Sequence, residues 1–416
     1  MKVLVINCGS SSIKYQVYDF MLKRVLEKGV LARIGERDSL LRFEFDGKET
    51  SLLCSIPSHK EGFELIFRVL TDSKEGVIKD LSEIYAVGHR IAHGGTQFSK
   101  STLITNETIR QIEKNIPLAP LHNPMNLLGI QITKQLLPHA KQVAVFDTAF
   151  HHTLPLKVRV FPIPYKYYQD YGIQRGGFHS QSYRYVLPRA AKLVDRPLEE
   201  LKMIVCHLGN GCTATAFDGG KSVDTSLGFS TFAGLMMGTR PGDFDPGLIF
   251  YLNRELGMNL DDMEKMLYKE SGLLGISGVS GDMREVLDHA AHGDQRCQLA
   301  VDMYTYRVKK TIGAFMAALG RLDVLVFTAG IGENSPEIRK MICEGLESLG
   351  IEIDPDQNCT ATREEKIISK TNSKVKVLVV PTNEEQVIIE DTIRLAGLEE
   401  MAPFSEENNL TIRSLR

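Results

Sequence analysis

The chain opens with an apolar run that turns through a glycine and three hydroxyl residues. Residues 3–14 read Val-Leu-Val-Ile-Asn-Cys-Gly-Ser-Ser-Ser-Ile-Lys. Such a turn can present backbone N–H groups, hydroxyls and one cation to a phosphate. A related pattern recurs at 203–213, which reads Met-Ile-Val-Cys-His-Leu-Gly-Asn-Gly-Cys-Thr. Two hairpins of this kind predict a duplicated α/β domain with a nucleotide between the halves.

Length and composition exclude several classes of protein. At roughly 150 residues per domain, 416 residues predict two or three domains. The net charge of −3 and the absence of a basic stripe argue against nucleic acid as a partner. The start of the chain turns polar too early for a signal peptide, and no apolar run is long enough to span a bilayer. Seven scattered cysteines without a Cys-x-x-Cys pair argue against zinc and favour a reducing, cytoplasmic location.

Strand-like and helical patterns alternate along the whole chain, which is typical of α/β proteins. We place a domain boundary near 150, between a domain over 1–150 and a second over 151–383. The last helix, within about 384–400, is expected to return to the first domain, and 401–416 is expected to be a loose tail. The strand predictions are 3–7, 13–18, 84–88, 142–147, 203–207, 213–217, 323–328 and 375–380, and the helix predictions are 61–71, 124–137, 180–194, 245–256, 261–270, 295–320, 335–349 and 384–396.

The sequence lacks a P-loop. Gly219-Gly220-Lys221-Ser222 looks like the end of one, but the earlier glycine that the motif requires would fall at Thr215. The stretch therefore predicts a β-turn, and any ATP must be bound by another architecture.

Each glycine-rich turn also has an ordinary interpretation. The first could be a simple hairpin, although Lys14 on an apolar strand would favour an anion to offset its desolvation. In the second, Asn210-Gly211 suits a plain type I′ turn, with His207 as a core histidine. A third stretch, 326–337, runs from a strand through Gly-x-Gly to a helix that Ser335 would cap. A helix N-terminus reached through glycines suits phosphates or ribose.

Several charged residues are candidates for chemistry, each with a structural alternative. Arg240 lies in a long Gly- and Pro-rich loop and could grip a carboxylate or phosphate, or pair with Asp243 on the surface. Arg90, at a strand end, is a second candidate anion clamp. Asp147 ends a strand and could be a cap residue. The neighbouring histidines 151 and 152 read as a solvated pair.

The start of the last helix offers a carboxylate for a metal. Thr382 and Glu385 have the spacing of a capping box, so Glu385 is predicted to be structural. Glu384 is then free to approach a phosphate-bound magnesium, or it is only a favourable partner of the helix dipole.

Taken together, these motifs resemble the acetate kinase family, the acetokinases. They occur in family order and cover the chain to about residue 398. The stretches that carry the resemblance are Asn-Cys-Gly-Ser-Ser-Ser-Ile-Lys (7–14), Gly-His-Arg-Ile-Ala-His-Gly-Gly (88–95), Pro-Leu-Ala-Pro-Leu-His-Asn-Pro (117–124), Val-Phe-Asp-Thr-Ala-Phe-His (145–151), His-Leu-Gly-Asn-Gly (207–211), Gly-Leu-Met-Met-Gly-Thr-Arg (234–240), Ser-Gly-Leu-Leu-Gly-Ile-Ser-Gly (271–278), Phe-Thr-Ala-Gly-Ile-Gly-Glu-Asn (327–334) and Pro-Thr-Asn-Glu-Glu (381–385).

The resemblance implies an α/β fold of two actin-like, ribonuclease H-like βββαβαβα domains around a nucleotide cleft. It implies reversible phosphoryl transfer from ATP to acetate, giving ADP and acetyl phosphate, with Mg²⁺ or alternatively Mn²⁺, in a homodimer. The residues it implies are catalytic Asp147, His179 and Arg240; substrate-binding Arg90, Ala92, Leu121, Phe178 and Thr231; nucleotide-binding Lys14, Ser10, Ser12, His207, Leu208, Gly209, Asn210, Gly211, Asp282, Met283, Arg284, Gly330, Ile331, Gly332, Glu333 and Asn334; and metal-binding Asn7 and Glu384.

The chain departs from the family pattern at three places. Tyr183 replaces the second histidine of Phe-His-Gly-Thr-Ser-His, Ala92 replaces a valine, and Thr231 replaces a proline. The valine and the proline help to line the family's pocket for the acetate methyl, so the smaller Ala92 predicts better tolerance of propionate, unless Phe232 refills the space. Two other functions are weighed against this one. Arg90, Arg240 and His179 argue against a non-metabolic actin-like ATPase, which needs no acyl pocket. The intact set of family residues argues against a catalytically inactive homologue; it comprises Asn7, Lys14, Arg90, Asp147, His179, Arg240 and Glu384.

Overall fold

The computed structural model describes residues 1–74, 76–359 and 364–401. The chain divides into two units. The first comprises Met1–Gly94, Lys100–Phe146 and the chain from Glu385 onward, and the second comprises Gly95–Ser99 and Asp147–Glu384. The tail predicted beyond 401 lies outside the described residues.

The described part of the first unit is built on a sheet of eight strands in the order β5-β4-β3-β2-β1-β6-β8-β7. β1 is antiparallel to β2 and parallel to β6, which is in turn parallel to β8. The elements are β1 (Lys2–Cys8), β2 (Ser12–Asp19), β3 (Arg24–Ala32), β4 (Ser39–Phe45), β5 (Lys48–Cys54), α1 (His59–Leu70), β6 (Ile84–Ile91), β7 (Thr102–Leu103), α2 (Asn106–Lys114), α3 (Asn123–Leu136) and β8 (Lys141–Phe146).

The described part of the second unit contains a sheet of six strands in the order β11-β10-β9-β12-β14-β13. Its elements are α4 (Leu156–Arg159), α5 (Lys166–Tyr171), α6 (Ser180–Leu193), β9 (Lys202–Leu208), β10 (Cys212–Asp218), β11 (Lys221–Thr225), α7 (Gly247–Leu256), α8 (Leu260–Lys269), α9 (Gly272–Ser277), α10 (Met283–Ala291), α11 (Gln295–Leu319), β12 (Val324–Thr328), α12 (Ala329–Asn334), α13 (Pro336–Cys343), α14 (Pro355–Cys359), β13 (Lys366–Ile367) and β14 (Lys376–Val379).

The two sheets share one central arrangement. In each, three consecutive antiparallel strands are followed by two parallel strands added on the far side of the first. The strands β3-β2-β1-β6-β8 of the first unit thus match β11-β10-β9-β12-β14 of the second. In both units the glycine turn joins the first two strands. The predicted duplicated α/β fold is therefore confirmed.

The last helix, α15 (Glu384–Ala396), covers one face of the first sheet. Its isoleucines form a buried cluster with Val3 and Val5 of β1, and each such side chain stabilises the fold by about 1.5–3 kcal/mol. The helix lies so close to β6 that a Cβ at Gly88 would be 2.3 Å from Thr392 Oγ1. Lys141, at the start of β8, donates to the carbonyl of Ala396. The helix therefore runs antiparallel to β8, and its amino end lies toward the carboxyl ends of the parallel strands.

The strands and helices with strong apolar patterns lie where the sequence predicts them, within a few residues. The elements without a counterpart among the predictions are β3–β5, β7, β11, β13, α2, α4, α5, α9, α10, α12 and α14. The predicted helix over 335–349 is too long, because α13 ends at Cys343 and Gly345 takes a left-handed φ of 79°. In the described ranges, no helix combines the length and apolar character that crossing a membrane requires.

Candidate active site

The turn of the first unit is held from beneath and presents its hydroxyls outward. His59 Nε2 donates to the carbonyl of Gly9 over 2.8 Å, and Asn126 Nδ2 donates to the carbonyl of Cys8 over 2.9 Å. Ser10 is exposed and Ser12 is half-buried. Side-chain hydrogen bonds thus hold the backbone of the turn, and its Ser10 hydroxyl is exposed to solvent.

Three candidate residues share one face of the first sheet. Asn7 pairs with Lys14 across β1 and β2, so both side chains lie on the same face. Val5 pairs with Gly88, which places Arg90, two residues further along β6, on that face too. Lys14 is exposed, so the desolvation predicted for it is wrong. Asn7 and Arg90 are half-buried near the carboxyl edge of the parallel strands.

The segment after β6 is fixed by two asparagines of α3. Asn126 Oδ1 accepts from the N–H of Ala92 at 2.9 Å, and Asn123 Oδ1 accepts from that of His93 at 3.1 Å. Ala92 is buried, whereas Leu121 is 47% exposed. The sequence interpretation missed both asparagines, which lie about thirty residues from the backbone that they hold.

Arg240 and His179 converge at Gly211, in the glycine turn of the second unit. A Cβ at Gly211 would lie 2.7 Å from Arg240 Nη2 and 3.8 Å from His179 Nε2. Neither Asn210 nor Gly211 has positive φ, so the type I′ alternative is wrong. Glycine at 211 gives the guanidinium and the imidazole room to converge over the turn.

Arg240 is held in a desolvated position within its loop. Its Nη1 donates to the carbonyl of Thr231 over 2.6 Å. Burial lowers the pKa of Arg240, but a guanidinium remains protonated in proteins. Asp243 does not pair with it in the described structure, since Asp243 Oδ1 accepts from the N–H of Gly234. The predicted surface ion pair is wrong, and the charge of Arg240 is available to an anion.

His179 has an unusual backbone conformation and two specific contacts. Its φ of 61° is left-handed, which is uncommon outside glycine and is concentrated at functional sites. Nδ1 lies 2.9 Å from Thr213 Oγ1, and the ring stacks on His207 with centroids 3.9 Å apart. His207 is buried, with Nδ1 2.8 Å from Ser182 Oγ. The two imidazoles thus form one rigid pair above the sheet.

Asp147 and His151 contact the chain at and just before the start of α6. Asp147 is 2% exposed, and its carbonyl accepts from the N–H of Ser180 at 3.2 Å. His151 is buried, with Nε2 2.8 Å from the carbonyl of Phe178 and Nδ1 2.9 Å from Ser222 Oγ. Burial lowers the pKa of His151 to about 4. The solvated-pair interpretation is therefore wrong for His151, which positions Phe178.

Gly238 packs between Asn210 of the second turn and Gly281, the residue before the predicted nucleotide segment 282–284. A Cβ at Gly238 would lie 2.2 Å from Asn210 Oδ1 and 2.8 Å from the carbonyl of Gly281. Asp282 caps α10 and binds the exposed guanidinium of Arg284. The side chains of Leu208 and Met283 lie in the hydrophobic core of the unit. Any nucleotide contact by those two residues must involve their backbone.

The third predicted nucleotide segment differs from expectation. Gly330 and Gly332 lie inside the short helix α12, and the predicted helix capped by Ser335 begins directly after it, at Pro336. Glu333 Oε1 accepts from the N–H of Ala329 at 2.7 Å and from that of Thr382 at 3.0 Å. The backbone N–H at the start of α12 is thus hydrogen-bonded to a side chain of the same helix. Because Thr382 gives its N–H to Glu333, the predicted capping box with Glu385 is wrong.

A buried arginine that the sequence interpretation missed supports this segment. Arg339 is 1% exposed and donates to the carbonyls of Gly332 and Glu333, each over 2.8 Å. It also donates to the side chain and carbonyl of Asn358. Arg339 follows Ile338 and lies one helical turn before Cys343, on the buried side of α13. This position is the one signal in the sequence that could have indicated a buried arginine.

The proposed metal residues supply the oxygen donors that Mg²⁺ prefers. Asn7 offers an amide oxygen, and Glu384 is half-buried, whereas Glu385 is exposed. The charge of Glu384 contributes to raising the pKa of Tyr183, which places Glu384 near α6. Within the described ranges, no group of three or more His, Cys, Asp or Glu could hold a metal alone. Each of the two residues thus offers the kind of oxygen donor that a phosphate-bound Mg²⁺ takes from a protein.

These features define a duplicated, actin-like α/β protein in which Arg240 and His179 converge at the glycine turn of the second unit. The sequence profile of the Acetokinase family matches residues 2–390, and the chain belongs to that family. An acetate kinase of Halothermothrix orenii is 50% identical over 396 residues, covering 95% of this chain and 99% of that protein. The crystal structure of Porphyromonas gingivalis acetate kinase has a TM-score of 0.90 at 44% identity, and that of a Francisella tularensis propionate kinase has 0.88 at 40%; each match covers 95% of this chain and 99% of the other.

Proposed function

We propose that this protein is an ATP:acetate phosphotransferase, which reversibly converts ATP and acetate to ADP and acetyl phosphate. The observation that carries the proposal is the convergence of Arg240 Nη2 and His179 Nε2 at Gly211, in a chain of the acetokinase family. Phosphoryl transfer needs positioning and positive charge around the equatorial oxygens rather than covalent chemistry by the protein. A guanidinium and an imidazole at one glycine turn provide both.

The reacting groups assign roles to the other residues. Acetate is ionised at pH 7, because a carboxylic acid has a pKa of about 4–5. No general base is needed to create the nucleophile, so Asp147 orients an arginine or a water. Arg90 binds the carboxylate. Ala92, Leu121, Phe178 and Thr231 line the pocket for the acetate methyl.

ATP is proposed to contact the Ser-rich first turn, Lys14, and the segments 207–211, 282–284 and 330–334. Asn7 and Glu384 would hold Mg²⁺, whose charge neutralises phosphate oxygens when it is bound. The support is the donor chemistry of the two residues and the meeting of Asn210, Gly238 and Gly281.

We also propose a cytoplasmic homodimer. All seven cysteines lie in the described part of the chain and are free thiols, which suits a reducing compartment. Helix α7 exposes Leu248, Phe250, Tyr251 and Leu256 by 49–63% each. Exposed apolar patches mark interaction surfaces, and a second copy of the chain is the partner that the family resemblance implies. Light scattering on Phe250→Glu tests this interface.

A hydroxamate trap tests the central proposal. Purified protein with ATP, Mg²⁺ and acetate should yield acetyl hydroxamate at an enzymatic rate. An actin-like ATPase would release phosphate without hydroxamate, and an inactive homologue would yield neither product.

The buried Ala92 favours propionate as a second acceptor, because it lacks the two methyl groups of the usual valine. Phe232 packs against Phe244 and Tyr268, with ring centroids 6.3 Å and 5.3 Å away. One methylene in such a pocket is worth about 1–3 kcal/mol of discrimination. Comparison of kcat/KM for acetate, propionate and butyrate tests this, and an undiminished preference for acetate would refute the wider pocket.

A further inference from the structure

Asn126 is a buried residue of α3 whose side chain bonds to two strand ends of the first sheet. Its Nδ2 donates to the carbonyl of Cys8 over 2.9 Å, and its Oδ1 accepts from the N–H of Ala92 at 2.9 Å. The residue is only 5% exposed. Both partners are backbone groups, which fixes the direction of the amide, because a carbonyl only accepts and an N–H only donates. One amide thus joins the end of β1 to the residue after β6.

Asn126 acts at the place where the sheet opens. The parallel pairing of β1 with β6 extends to Ile6 and His89. Cys8 and Ala92 follow those two residues at a distance of two and three positions, beyond the last pair of this described ladder. An asparagine amide carries both a donor and an acceptor, so a single side chain can bond to both strand ends. It supplies the cross-link that backbone pairing supplies elsewhere in the sheet.

The helix that carries Asn126 is itself held close to these strands. A Cβ at Gly129 would lie 3.0 Å from the Cβ of Cys8, so α3 packs tightly on the end of β1. Thr133, two helical turns after Asn126, is fully buried, and its Oγ1 lies 3.3 Å from His89 Nε2 of β6. Burying polar side chains on a helix costs free energy unless they are hydrogen-bonded, as these are. α3 therefore gives the Asn126 amide a fixed support.

We propose that Asn126 is a positioning residue that fixes the phosphate side of the candidate site relative to its acetate side. This inference rests on the proposed function. Cys8 follows Asn7, the proposed metal residue, and leads into the turn proposed to contact ATP. Ala92 lies in the proposed acetate pocket, two residues after Arg90, which is proposed to bind the carboxylate. Without the amide both backbone segments can shift, and misplacement by about 1 Å costs up to about 100-fold at such a site.

The experiment compares Asn126→Leu with wild-type enzyme in the hydroxamate assay, and Asn123→Leu is the matched control. Asn123 lies one turn earlier on α3 and is fully buried, but its hydrogen bonds go to both backbone groups of His93 and to the carbonyl of Asn115 rather than to the turn. We expect Asn126→Leu to raise KM for acetate about 10-fold and KM for ATP about 3- to 5-fold. Asn126→Ala should show the same pattern, and Asn123→Leu should leave KM for ATP unchanged. A mere loss of folded protein would lower the rate without changing either KM.

Hydrogen–deuterium exchange, resolved to single amides, reads the same contact without turnover. The Ala92 amide should exchange about 10-fold faster or more in Asn126→Leu, because it loses its hydrogen-bond acceptor, and should stay protected in Asn123→Leu. Wild-type KM values for both substrates in Asn126→Leu, an equal rise of KM for ATP in Asn123→Leu, or unchanged exchange at Ala92 in Asn126→Leu would each overturn the proposal. Failure of the proposed function is detected separately, as a wild-type protein that yields no acetyl hydroxamate.

Discussion

The two glycine turns occupy the same place in two like sheets and have opposite surroundings. The first, after β1, exposes Ser10 and Ser11 and is held by His59, by Asn126 and by the N–H of Ile34, which donates to the carbonyl of Ser11. The second, after β9, is overlaid by Arg240 and His179 and packed against Gly238. The same strand–turn–strand arrangement thus occurs twice. The side chains around it leave the first turn exposed to solvent and cover the second with a guanidinium and an imidazole.

The largest expected effect comes from removing the charge at the second turn. Arg240→Ala should lower kcat/KM for acetyl phosphate formation about 10³-fold, because a charge that stabilises a transferring phosphoryl group is worth that much or more. Hydroxamate kinetics measure it. Arg321→Ala, at an exposed arginine paired with Asp323, is the control and should stay near wild type. A loss of less than tenfold would refute the role of Arg240.

Buried histidines in both units should make the stability of the chain sensitive to acid. Burial lowers the pKa of His89 and His93 in the first unit, and of His151 in the second, to about 4. The unfolded chain, with histidine pKa values near 6.5, binds more protons. Stability is therefore complete above that pH and is lost as the pH falls toward 4.

Each of these histidines should cost about 2 kcal/mol of unfolding free energy between pH 7.5 and 5. Urea unfolding at the two pH values measures the sum. His89→Gln, which keeps a polar side chain beside Gln142, should remove about one histidine's share. The same pH dependence in wild type and variant would contradict the assignment.

The smallest effect is expected at the first turn. Lys14 is exposed, so solvent screens its attraction to a phosphate, and Lys14→Ala should raise KM for ATP only a few-fold, about 1 kcal/mol, with kcat nearly unchanged. Lys28→Ala, at an exposed lysine on β3, is the matched control. If Lys14→Ala were as damaging as Arg240→Ala, the contrast between the turns would fail.

Much of the fold was predictable because apolar strands and glycine turns carry local signals. Both hairpins, the α/β alternation and the Ser335 cap of α13 follow from such patterns. The resemblance to the acetokinases supplied the residues of the candidate site, and Arg240 and His179 do converge at the second turn.

Two kinds of feature could not be predicted from the sequence: contacts between residues distant along the chain, and the direction in which a side chain points. Asn123 and Asn126 serve backbone about thirty residues away, and nothing in their own neighbourhood indicates it. Leu208 and Met283 lie in glycine-rich motifs, yet their side chains point into the core. The exposed Lys14 shows the same limit, because an apolar strand does not reveal which of its faces is covered.

We propose that the second turn, and not the first, stabilises the charge of the transferring phosphoryl group. The most direct test compares Gly211→Ala with Gly9→Ala by kcat for acetyl phosphate formation. A Cβ at Gly211 meets Arg240 Nη2 at 2.7 Å and must displace it, whereas a Cβ at Gly9 meets Ser12 Oγ at 3.1 Å. We expect Gly211→Ala to lower kcat about 10- to 100-fold, because it misplaces a catalytic group, and Gly9→Ala to lower it much less. A Gly211→Ala enzyme with wild-type kcat would contradict it.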